Sequence, residues 1–91
     1  GDITAFSSEV LKDDIRTIDN ALNKVADMRG VYFTKDGEAG TGVIAEEVEA
    51  VLPEVVKDGE YKSVAYGNIV GVLIEAVKEL KEEVKSLKEN S

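Results

Sequence analysis

Cysteine, histidine and tryptophan are missing from this sequence, and proline occurs once. Without cysteine no disulfide can staple the fold, and without cysteine or histidine the usual zinc sites are excluded. No metal and no cofactor are expected. Aromatic residues make up only 5 % of the chain, so any core must be aliphatic and modest. At 91 residues the chain is one small domain at most, near the size where a lone core is barely sufficient. Small chains lacking both kinds of staple often gain stability by associating, and self-association is expected here.

Excess positive charge is lacking too. A net charge of −8 argues against a phosphate-binding surface, since nucleic-acid affinity rests on clustered lysine and arginine. No apolar run approaches the ~20 residues needed to span a bilayer. Neither nucleic acid nor membrane is an expected partner. The opening "GDITAF" has no methionine and none of the charged, apolar, small-residue order of a signal peptide. The chain is expected to be the C-terminal piece of a longer polypeptide.

What is present alternates between helical and strand patterns. Residues 1–6 read as a short strand or extended arm. A helix is expected from Asp14 or Thr17, with Thr17 as its N-cap. Ile18, Leu22, Val25 and Met28 then form one apolar stripe, and Gly30 is the stop. Strand formers Val31 to Thr34 followed by "KDGEAGTG" predict a hairpin whose return strand runs from Gly42 to Ala45. A short helix with Val48, Val51 and Leu52 inward should end at Pro53, and a second, smaller hairpin should turn around Asp58-Gly59.

The last segment has the most regular pattern. Val70, Leu73, Val77, Leu80, Val84 and Leu87 are spaced 3, 4, 3, 4, 3, a heptad seam with valine at every a and leucine at every d. Glu83 is then a g residue and Lys88 the following e residue, the offset at which parallel partners pair charges. A helix lying on its own domain would account for residues 69–80. It would leave "KEEVKSLKENS" keeping the seam with nothing to bury. Valine at a with leucine at d leans toward two strands in isolated coiled coils.

Taken together, "SSEVLKDDI", "IDNALNKVADMRGVYF", "GVIAEEVEAVLPEVV" and "YKSVAYGNIVGVLIEAVKELKEEV" resemble the C-terminal intramolecular chaperone domain, of the endosialidase type, found on phage tailspikes and tail fibres. A related domain occurs in a eukaryotic membrane-bound transcription factor. The resemblance spans roughly residues 2–88. Its most specific parts are Gly42 to Val48, then Pro53-Glu54, then Val64-Ala65-Tyr66; Glu46 stands where the family commonly has glutamine.

The resemblance implies an α+β fold: a helix, β-hairpins, a short helix and a long C-terminal helix forming a parallel trimeric coiled coil. Residues 1–6 would end the upstream fibre or its linker arm, 7–68 would be the globular part of the chaperone, and 69–91 the coiled-coil helix. The partners implied are two further copies of the chain and the upstream fibre of the same polypeptide, within a virion tail precursor assembled in the host cytoplasm.

The resemblance also implies self-cleavage just before a serine assisted by a lysine five residues on, a single-turnover serine endopeptidase. Matching "LKDDI" without a gap makes these Ser7 and Lys12, and the bond to be cut Phe6–Ser7. The family usually has aspartate directly after the serine, where this chain has Ser8. One deleted residue in the alignment would instead make Ser8 the nucleophile, beside Glu9. A serine hydroxyl is a weak nucleophile and needs a base. With no histidine, a lysine serves only as the neutral amine, which requires burial or cationic neighbours. Asp13 and Asp14 next to Lys12 favour the ammonium instead, so burial at a junction between copies is the condition for cleavage.

Overall fold

The structure, a computed structural model, describes residues 4–91. Among the described residues three α-helices and two antiparallel hairpins follow one another: α1 (Ala21–Ala26), β1 (Val31–Lys35), β2 (Glu38–Gly42), α2 (Ala45–Glu49), β3 (Val56–Lys57), β4 (Ser63–Val64) and α3 (Val70–Glu89). Short 3-10 turns lie at Glu9–Leu11, Pro53–Val55 and Tyr66–Ile69. The α+β class and the long C-terminal helix agree with the sequence. Residues 1–3 of the expected arm lie outside the described residues, and 4–8 form no strand.

The core is where α1, α2 and the first half of α3 meet. Val48 and Val72 are fully buried, together with Ala21, Leu52, Val55, Ile69 and Ala76. Ile18, Leu22, Val25 and Met28 pack against this cluster, as their spacing predicts. The helix carrying them is shorter than expected, however. Thr17 is not its N-cap: α1 begins at Ala21, and the residue before it, Asn20, is left-handed (φ 50°) with no side-chain cap bond. The cap comes from α3. The two carboxylate oxygens of Glu79 accept the Ala21 and Leu22 N–H groups at 2.9 and 2.8 Å. They satisfy two of the free amides that every helix start presents. A bond between residues 57 or more positions apart cannot be read from local pattern.

The first hairpin also differs. Its return strand is Glu38–Gly42, not Gly42–Ala45, because the turn is the two-residue Asp36-Gly37 pair. Both residues have positive φ (52° and 81°), and Lys35 pairs with Glu38. Asp-Gly fits such a turn well, since glycine takes positive φ without strain. The later glycines serve another purpose. A Cβ at Gly40 would meet the Phe33 ring at 2.8 Å, and one at Gly42 would run into the Tyr66 hydroxyl. They are glycines because aromatic side chains lie on the strand. The second hairpin pairs Val56 with Val64 and Lys57 with Ser63 across Asp58-Gly59, as expected.

Candidate functional site

Ser8 caps the 3-10 turn at Glu9–Leu11: the Val10 N–H donates to its Oγ at 3.4 Å, and the Leu11 N–H to its carbonyl at 3.0 Å. This turn folds the chain back so that a residue five positions on faces Ser7. Lys12 Nζ donates to Ser7 Oγ at 2.8 Å. That distance lies within the range for proton transfer between a nucleophile and its base. The structure thus brings Ser7 and Lys12 together and gives Ser8 a capping task. Residues 4–17 are all exposed, and Phe6, on the other side of the Phe6–Ser7 bond, is 96 % accessible.

The seam lies at the opposite end of the chain. Along α3, Val72 and Ala76 face the core and Glu79 caps α1, whereas Val70, Leu73, Val77, Leu80, Val84 and Leu87 are exposed. Leu73 is 45 % and Leu80 49 % accessible. Every residue from 80 to 91 is exposed, so the second half of α3 buries no side chain against the described part of its own domain.

The sequence blocks that carry the family resemblance meet in space at the root of the first hairpin. The Tyr66 hydroxyl lies over Gly42 and accepts the Val43 N–H at 3.2 Å, and the Ala65 N–H donates to the Val55 carbonyl at 2.8 Å. These residues hold β2, the Pro53–Val55 turn and the approach to α3 in one place.

A profile of the family described as "Chaperone of endosialidase" matches residues 7–57, more than half of the chain. The chain belongs to this family. The match begins at Ser7 and takes in Lys12, the first hairpin and α2. Among relatives of this chaperone chain, "Long tail fiber protein Gp37" of Enterobacteria phage K3 is 36 % identical over 90 aligned positions, covering 85 % of the chain and 7 % of that protein. The protein of the same description from Enterobacteria phage T2 gives the same figures. That of Salmonella phage S16 is 32 % identical over 110 positions, covering 97 % of the chain and 15 % of the relative. The chaperone chain therefore spans a small part of the length of the fibre proteins it matches.

Sequence reading missed the ionic ties of this chaperone fold. Glu47 accepts from Arg29 at 3.1 Å and Glu49 from Lys62 at 3.1 Å. Lys62 also reaches Asp58 at 2.8 Å and so fastens the second hairpin's loop to α2. The Lys62 hydrogen bond holds the Asp58 carboxyl below the usual carboxylate range, and Asp58 and Glu49 raise Lys62 above the usual lysine range. These pairs join residues 13 to 18 positions apart, except for Asp58–Lys62, whose four-residue spacing is a visible if weak signal.

Proposed function

We propose that this chain is the intramolecular chaperone of a phage tail fibre or tailspike. In this reading α3 joins three chains in parallel, the globular part registers the upstream fibre, and the domain is released by cutting the Phe6–Ser7 bond. The observation that carries the assembly half is α3's division into two faces, one buried by its own domain and one apolar and unused. Surface area agrees. The chain exposes 7717 Å². A compact monomer of 9.8 kDa would expose roughly 5,200 Å². The excess, carried by the exposed 4–17 stretch as well as by the apolar face of α3, exceeds the ~800 Å² per partner of an ordinary stable interface.

The Ser7–Lys12 contact supports the cleavage half. Ser7 Oγ adds to the Phe6 carbonyl carbon while the neutral Lys12 amine takes the hydroxyl proton. The Phe6–Ser7 C–N bond breaks, and the Ser7 amine leaves with a proton. Water then hydrolyses the ester, giving an upstream chain ending in the Phe6 carboxylate and a released domain beginning at Ser7. In the single chain Lys12 is exposed beside Asp13 and Asp14. The contact becomes productive when neighbouring copies or the fibre exclude water from it.

A second reading, a trimerisation cap that never cuts, is favoured by Ser8 standing where the family has an acid. A precursor carrying upstream fibre separates the two. N-terminal sequencing should give a fragment starting at Ser7 from the parent and none from Ser7→Ala. Ser8→Asp should cut faster. A fragment starting at Ser8 would move the nucleophile, and intact chains from both the parent and Ser8→Asp would leave the cap.

A further inference from the structure

The apolar face of α3 is wider than its heptad seam over residues 70–77. With Val70 and Val77 at a and Leu73 at d, Ile74 is an e residue, and it is 49 % accessible. The following e residues are Lys81 and Lys88. On the other flank of the seam the g positions are Ala76 and, at the N-cap of α3 where the 3-10 turn ends, Ile69, both buried against the domain. Ile69 and Leu73, with Val25, Met28, Gly30 and Val43, line an apolar groove of about 190 Å³. Its rim residue Arg29 is turned to Glu47.

The size of the groove limits what can fill it. A cavity of ~150 Å³ admits benzene, whereas drug-sized ligands need ~300 Å³ or more. There is room for one aliphatic side chain.

Heptad geometry says which one. Positions e and g lie on opposite flanks of the a/d seam, so Ile74 points away from the groove of its own chain. In a parallel coiled coil the g flank of each helix faces the e flank of its neighbour, each g residue meeting the e residue five positions later. Five positions after Ile69 is Ile74. We propose that Ile74 of each copy seats in the Ile69–Leu73–Met28–Val43 groove of the adjacent copy, so that every helix grips its neighbour's globular body as well as its neighbour's helix. This rests on the trimer proposed above.

The charge pattern along α3 fits the same arrangement. Where the domain flanks the helix, the e residue is isoleucine and its partner surface is apolar. Beyond the domain, g and e become Glu83 and Lys88. An apolar stripe of a, d and e positions also suits a bundle of more than two helices better than a strict a/d pair.

The absence of cysteine makes the test direct. The doubly substituted chain Met28→Cys with Ile74→Cys is oxidised and run on a non-reducing gel, with light scattering in parallel. Covalent dimers and trimers are expected from the double variant and not from either single variant. Met28→Cys with Lys81→Cys, one heptad further on, should give none. A trimer by light scattering without cross-links in the first pair would overturn the groove contact and leave the trimer standing. A monomer would overturn the trimer and the contact with it. Cross-links that instead join Met28→Cys to a cysteine placed at Phe6 would assign the groove to the N-terminal arm. As an independent check, Ile74→Ser, an exposed change, should weaken association about tenfold or more without changing the helix content. Unchanged association would contradict the proposal.

Discussion

Glu79 does for α1 what a residue in α1's own first turn ordinarily does. Its hydrogen bonds from the Leu22 and Ala21 amides pull the carboxyl below the usual glutamate range. The carboxylate is therefore favoured in the folded chain, and its contribution is present above the unfolded value. As pH falls through the lower, folded value, that contribution is lost. Glu79→Gln should melt several degrees below the parent at pH 7, and the gap should close as pH falls below about 4. A gap that does not narrow at all as pH falls through the carboxylate range would mean that the carboxylate's charge is not what caps α1. At Gly37, with φ at 81°, Gly37→Ala should cost about 1 kcal/mol, while Gly30→Ala, where a Cβ meets nothing within 4 Å, should cost far less. Thermal melts of the two variants check this. That a turn falls within "KDGEAGTG" is legible in the sequence; that Gly37 alone of its glycines carries it is not. Nor is the Glu79 cap, since its partners are supplied by another helix. The Ser7–Lys12 pair came from the family resemblance; serine and lysine five residues apart carry no chemistry until a turn brings them together.

At the scale of elements, α3 shows where pattern reading works and where it stops. Its heptads fixed the helix and named the exposed seam. The second face, Val72 and Ala76 against α1 and α2, is a different periodicity laid over the same residues. α1 shows the converse. Its stripe marks the residues that pack on the core, from Ile18 to Met28, but only Ala21–Ala26 are helical. Burial set the spacing over the longer stretch, and the Glu79 cap set where the helix begins. The β1–β2 return strand was misplaced because its glycines look like turn residues, when they are strand positions beneath Phe33 and Tyr66. The seam itself makes a sharp prediction. In the proposed trimer Leu80→Asp would place three carboxylates in one apolar layer, and unpaired buried charge costs several kcal/mol. The variant should sediment as a monomer with a lowered Tm. A trimer with unchanged Tm would show that the seam is not the contact.

For the molecule as a whole, the proposed cleavage and assembly should be coupled, because Ser7 and Lys12 lie in an exposed stretch that neighbouring copies or the fibre would have to bury. In a fibre-bearing precursor, Lys12→Arg should abolish cutting and leave assembly intact, since a guanidinium cannot deprotonate. Mass spectrometry of the products, with light scattering of the uncut precursor, checks this, and cutting by the arginine variant would remove Lys12 from the mechanism. All of this depends on three chains meeting through α3, and sedimentation equilibrium of the 91-residue chain at tens of micromolar tests that directly. A mass three times the 9.8 kDa of one chain is expected. A monomer or a dimer would contradict it.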